Sequence, residues 1–285
     1  MAPALRHDPS VGNPERYRER QWVCALVDQW PAGPAPQQVV VVSCQRQSGD
    51  WAALAGLNPT RTLVLALGGE HGRPLPWLQH SGLRVAQCYL PPTLQSRWRT
   101  RLPLGPSGFL PRLPPVPWAD RDVPLSFVGW LHPRRSALYR LVSGHRLPGP
   151  LPSLLRAQLN GVLDGRVVPG SVLRFGERFG HGLDSDAYAQ VLRRTQVALC
   201  PPGTRQDETF RHWEAARSGC VLVGARVPGT GPPVLPMPST AAALTDLLSS
   251  PDLLKHQHAR VGAWWAQSGR PAQVAASLAA WWAAG

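Results

Sequence analysis

From Leu199 to Gly224 the chain reads LCPPGTRQDETFRHWEAARSGCVLVG, which sets three arginines, Arg205, Arg211 and Arg217, and a mid-segment acid, Glu214, between two short apolar runs. An arginine near a helix start presents a planar, permanently charged fork to phosphate oxygens. A carboxylate one turn later can accept hydrogen bonds from two vicinal hydroxyls. A ribose attached to a diphosphate offers both groups. Arg211 and Glu214 stand three apart, which puts them on one edge of a helix. The same spacing suits an intrahelical ion pair of Glu214 with Arg211 or Arg217, worth roughly 0.2–0.5 kcal/mol. Spacing alone leaves both readings open.

The surrounding pattern supplies the positioning elements. TQVALC reads as a buried strand, Pro201 and Pro202 stop it, and Gly203 lets backbone approach a ligand closely. A helix follows from about Glu208 to Ser218, with Asp207 as its cap and Gly219 where a left-handed C-cap is expected. Upstream, VPLSFVGW is a strand, PRRSALYRLVSG a helix, SVLRF a strand and DSDAYAQVLRRT a helix opened by Asp184 or Ser185; downstream, CVLVG is a strand. Alternation of strand and helix is the signature of a parallel sheet with right-handed crossovers. In such sheets ligands collect at the carboxyl ends of strands, where helix N-termini offer unpaired N–H groups. Arg134 and Arg135, opening the helix after SFVGW, fall at such an end.

The first half carries QQVVVVSC, RTLVLALGG and GLRVAQCYL, continuous apolar runs suited to strands buried on both faces. LPLGPSGFLPRLPPVPW, from Leu102 to Trp118, sustains neither helix nor central strand and reads as an interdomain linker. This predicts a domain over residues 1–115 and a second over 116–285 that includes the C-terminal helices. Their paired tryptophans, Trp264 with Trp265 and Trp281 with Trp282, read as packing anchors.

The run LCPPGTRQDETFRHWEAARSGCVLVG resembles the C-terminal donor-binding domain of exostosin-like glycosyltransferases, whose motif has a strand, a C-P-x-G loop, R-x-x-E-A and a small-residue-G exit. Pro202 and Gly203 match the loop, Arg211, Glu214 and Ala215 the helix, and Gly219, Cys220 and Val223 the exit. Looser matches run in order through LGGEHG, LPLGPSGF and SFVGWLHPRRSAL; Leu222 departs from the usual proline. The resemblance implies an α/β protein of GT-B architecture, two Rossmann-like domains with parallel sheets facing a central cleft. It implies a metal-independent transferase with no cofactor, taking a UDP- or GDP-linked sugar as substrate and a glycan, lipid-linked or small molecule as acceptor. Glu214 then binds nucleoside or sugar hydroxyls, with Arg211, Arg205, Arg134 and Arg135 near the diphosphate. The acceptor base is expected from the N-terminal domain, where Glu70 and His71 directly follow a strand; a plain loop acid and histidine fit those positions equally well.

Composition bounds these readings. The chain has 285 residues and a formal net charge of +13, long enough for two domains and basic enough to accept anions. Lysine occurs once, isoleucine never, and arginine is abundant, so part of the excess reflects codon usage. No block of five like charges and no aromatic-interleaved basic stripe speaks for nucleic acid. The five cysteines, odd in number and without C-x-x-C spacing, read as reduced core residues, and no metal-ligand spacing occurs. The N-terminal segment has no apolar core of a secretion signal, which leaves the cytoplasm as the expected compartment, with peripheral membrane contact as an option. Two rivals remain: an arginine-rich nucleic-acid-binding protein, whose affinity would collapse with salt, and a nucleotide-sugar epimerase, which would need more carboxylates at its site.

Overall fold

The computed structural model describes residues 2–7, 17–44, 54, 56–70, 81–130, 132–143, 168–176, 182–229 and 231–284. The chain divides into two compact units, Met1–Gly108 with Gln267–Gly285, and Phe109–Ala266. Each is built on a five-stranded, wholly parallel sheet, so the chain is α/β.

In the first unit β1 (Ala4–His7), β2 (Gln38–Ser43), β3 (Thr62–Leu67), β4 (Arg84–Cys88) and β5 (Arg99–Leu102) lie side by side in chain order. Val40 faces Val64 and Val64 faces Val85 across the central strands. The runs VVVV and TLVLAL are buried on both faces, which is why they read as continuous rather than alternating. Helix α1 (Arg20–Asp28) buries Trp22, Val23, Leu26 and Val27 and packs against the last helix, which spans Pro271–Ala283. That helix therefore belongs with the first unit. The sequence expectation had placed all C-terminal helices with the second domain and its boundary at residue 115.

In the second unit β6 (Val123–Trp130), β7 (Val172–Gly176), β8 (Thr195–Cys200), β9 (Val221–Gly224) and β10 (Val234–Pro236) take the order β10-β9-β8-β6-β7. The helices are α2 (Ser136–Ser143), α3 (Ser185–Arg194), α4 (Phe210–Arg217), α5 (Ala241–Leu248) and α6 (Pro251–Trp264), with α7 the Pro271–Ala283 helix of the first unit. Alternate residues of each strand enter two separate cores. Phe127, Leu173, Val197, Leu199, Val221 and Val223 pack with Leu138, Tyr139, Val142 and Leu244 of α2 and α5. Ala198, Cys200 and Leu222 pack with Ala189 and Leu192 of α3, Ala215 and Ala216 of α4, and Val261 of α6. The sheet is thus a middle layer between helices on both faces.

Local signals behave as residue chemistry dictates. Asp184 caps α3 by accepting from the Ala187 amide at 2.8 Å. Gly219, at φ +73°, ends α4 in the left-handed region. The start of α4 differs from expectation: Thr209, not Asp207, is the N-cap, paired with His212 three residues on. All five cysteines are free thiols, with Cys88, Cys200 and Cys220 buried. Among the described residues no helix is long and apolar enough to cross a membrane.

Candidate functional site

The strand order of the second unit creates one place where successive connections diverge. The chain leaves β6 toward the α2 face, returns through β7, crosses to β8 on the other side of β6, and leaves β8 toward the α4 face. Beyond the carboxyl ends of β6 and β8 the two connections run to opposite faces of the sheet, and the crevice at such a switch point is where doubly wound sheets take their ligands. The first sheet, whose strands follow chain order, has no such reversal.

Three arginines bridge the crevice. Arg135, buried, donates from Nε to the Pro202 carbonyl at 3.0 Å and from Nη1 to the Trp130 carbonyl at 2.7 Å. Arg134 donates to the Gly203 carbonyl at 3.1 Å and pairs with Asp207 at 2.8 Å. Arg211 reaches back from α4 to the Val128 carbonyl, its guanidinium 4.6 Å from the centre of the Phe127 ring. A Cβ on Gly129 would collide with Arg211 Nη2, so the smallest residue at the end of β6 makes room for that guanidinium. Arg211 is thus held by a carbonyl and a ring face, and its Nε is buried with no hydrogen-bond partner.

Among the described residues six other buried side-chain atoms share this lack, and two of them belong to residues that feel the Arg211 charge. His132 Nε2 and Tyr188 Oη have no partner. Burial, then the charges of Arg135, Arg134 and Arg211, push the His132 imidazole down to about 4, so it is neutral at pH 7. Burial, then the charge of Glu214, holds the Tyr188 phenol well above its ordinary range, while Arg211 opposes that effect. Buried polar groups in folded proteins are nearly always satisfied, so Arg211 Nε stands out, with His132 Nε2 and Tyr188 Oη within reach of the Arg211 charge.

The structure distributes the sequence-assigned residues unevenly. Arg134, Arg135, Arg211, Pro202 and Gly203 come together at the crevice. Gly203 serves its own turn: its amide donates to the Gln206 carbonyl at 2.7 Å, and a Cβ would lie 3.0 Å from that oxygen. Arg205 is exposed on the same loop. Glu214 is only 6% exposed, with Tyr188 and Arg217 among the charges and dipoles it acts on, so it meets a ligand by an edge at most. Glu70 belongs to the first unit, three residues beyond β3, and His71 lies outside the described residues. His132 and Tyr188 were missed by sequence reasoning. His132 carried a usable signal, a histidine two residues past a strand and next to Pro133 and two arginines; Tyr188, inside an amphipathic helix, carried none.

His212 was also missed, and its role is local. Its Nδ1 accepts from the Thr209 amide at 3.2 Å and its Nε2 faces the Ala225 carbonyl at 2.9 Å, so the neutral Nε2–H tautomer satisfies both. Histidine here takes the place of the glutamate or glutamine of a capping box. Burial lowers it from 6.5 to about 4. The unfolded chain therefore binds the proton first: this stabilisation is whole above about pH 6.5 and is lost as pH falls toward about 4, a loss of about 3 kcal/mol. Urea melts across that pH range are expected to show this slope in the wild type. The slope is expected to be shallower in His212→Gln, which keeps the cap acceptor without a titrating ring, with the depressed His132 supplying part of what remains.

Among the described residues no group of three or more His, Cys, Asp or Glu is placed to hold a metal ion. No protein-family model matches the chain, and no curated protein matches it.

Proposed function

We propose that the second unit binds a nucleoside diphosphate sugar at the β6/β8 crevice and that the protein is a glycosyltransferase of GT-B type. The observation that carries this reading is Arg211 Nε, buried without a partner beside the end of β6 at the switch point of a parallel sheet, with His132 Nε2 and Tyr188 Oη, also without partners, within reach of the Arg211 charge. A diphosphate fits the Arg211 side of that set, because a charged, doubly acceptor-rich group satisfies a donor that carbonyls leave incomplete. Sugar or ribose hydroxyls, which both donate and accept, suit neutral His132 and the Tyr188 phenol. The resemblance of the 199–224 segment to exostosin-like transferases supports the same ligand.

In the transfer, the acceptor hydroxyl oxygen forms a bond to the anomeric carbon as the bond from that carbon to the diphosphate oxygen breaks. The nucleoside diphosphate leaves with the electron pair, and a base takes the hydroxyl proton. Arg211 offsets the charge that grows on the leaving oxygen. Arg134 and Arg135 hold the two crevice loops together and add positive potential. The reading assigns the base to Glu70 or His71 and uses the sugar nucleotide as substrate, with no resident cofactor.

A thermal-shift panel of UDP, GDP, ADP, TDP and their sugars tests the ligand class. One base is expected to raise the melting point, and Glu214→Gln discriminates two roles for that acid. If Glu214 contacts the ligand, the variant keeps its melting point and loses the shift. If it is an internal partner of Tyr188 and Arg217, the variant melts lower with the shift intact. A panel with no shift for any nucleotide overturns the reading. Steep loss of RNA or DNA binding with salt, without any nucleotide shift, would favour the nucleic-acid alternative.

A further inference from the structure

We infer that the first unit carries a docking surface for a bilayer containing anionic lipids, formed at the amino ends of β4 and β5 and by the end of α7. This inference stands independently of the glycosyl-transfer reading.

Two large apolar side chains are exposed on the connection into β5, Leu94 at 39% and Trp98 at 41%. Trp98 adjoins the β4 end of the sheet, its carbonyl accepting from the Val85 amide at 2.9 Å. Half-buried Trp281 donates its indole N–H to the Ser96 carbonyl at 3.1 Å, which joins α7 to the same connection. Arginines accompany these groups. Arg97 lies 4.9 Å from the Trp98 ring centre and Arg84 4.7 Å from that of Trp282, while Arg99 opens β5. The segments that form this surface carry no acid of their own: residues 71–119 contain no aspartate or glutamate, and neither do residues 253–285.

An indole at a lipid headgroup level places its ring among acyl carbons near the surface, and adjacent guanidiniums meet lipid phosphates. The chemistry favours a bilayer over a nucleic acid on three counts. Leu94 has no ring on which a base could stack, Arg97 already lies over one face of Trp98, and Trp282 is buried.

The test is co-sedimentation of the full chain with vesicles of phosphatidylcholine alone and of phosphatidylcholine mixed with phosphatidylglycerol, with single-stranded RNA as a competitor. Binding is expected only to the mixed vesicles. Arg97→Gln with Arg99→Gln is expected to weaken it about 30-fold, at about fivefold per surface arginine. Trp98→Ala is expected to weaken it about fivefold, the apolar part of the contact. Because these side chains are exposed or half-exposed, an unchanged melting point confirms that each variant is folded. Equal binding by wild type and variants, absence of binding to the mixed vesicles, or release by RNA through the same residues would each overturn the inference.

Discussion

Arg211→Met is expected to weaken binding of the preferred nucleoside diphosphate about 100-fold, as read by isothermal titration. The side chain sits at the end of β6 with one donor on the Val128 carbonyl and Nε idle. Removing one member of a desolvated, hydrogen-bonded charge pair costs roughly 3 kcal/mol or more, which is that factor in affinity. The free protein loses much less, about one carbonyl hydrogen bond and a ring contact with Phe127. Methionine keeps most of the volume over that ring. Arg211→Lys retains the charge without the fork and is expected to fall between the two, about tenfold weaker. A pattern in which affinity is unchanged while the melting point drops would make Arg211 a brace between α4 and β6 and nothing more.

Arg121→Ala is expected to destabilise the second unit by about 4 kcal/mol. This guanidinium is buried in the middle of a carbonyl cage. It donates to the Thr195 carbonyl at 2.6 Å, to the Ser218 carbonyl at 2.6 Å and to the Val116 carbonyl at 3.3 Å. One residue thus ties the segment before β6, the start of β8 and the end of α4. Truncation leaves those oxygens without their charged donor and opens a void, each at a cost of roughly 1–3 kcal/mol. Domain stabilities commonly lie at 5–15 kcal/mol, so the loss is a large share of the whole. A urea melt followed by circular dichroism is expected to move its midpoint down by about 1.5 M. A midpoint within experimental scatter of wild type would mean that water replaces the guanidinium freely.

Legibility in the sequence tracked burial. The central strands β2, β3, β4, β6 and β8 announce themselves because strands covered on both faces need uninterrupted apolar runs, and VVVV, TLVLAL and TQVALC supply them. The strands that escaped notice, β1, β5 and β10, all lie at sheet edges. ALRH and RTRL mix charge into four residues, and VLP sits inside a proline-rich stretch, patterns an edge tolerates because only one side of the strand is paired. The same physics explains the cap of α4. Asp207 is the commoner cap residue, yet its carboxylate is held by Arg134, a partner 73 positions away. Thr209 with His212 then takes the role.

The site divides in the same way. Arg134, Arg135 and Arg211 were legible from residue type and from their place beside strand ends. Their partners were not, because strand order decides which loops face each other, and the order β10-β9-β8-β6-β7 has no local signature. Glu214 shows the limit of spacing arguments. Three residues from Arg211 it shares a helix edge, but the neighbouring helix α3 brings Tyr188 beside it and buries it. Buried neutral histidines at 132 and 212 are a product of packing that hydropathy does not encode.

We propose that the β6/β8 crevice binds an anionic nucleotide through Arg211 Nε, His132 Nε2 and Tyr188 Oη. A crystal structure of the protein with its preferred nucleoside diphosphate is the most direct measurement. A phosphate oxygen is expected within hydrogen-bond distance of Arg211 Nε, and His132 Nε2 or Tyr188 Oη bonded to a ligand hydroxyl. A nucleotide bound elsewhere, with ordered water on all three atoms, would contradict it.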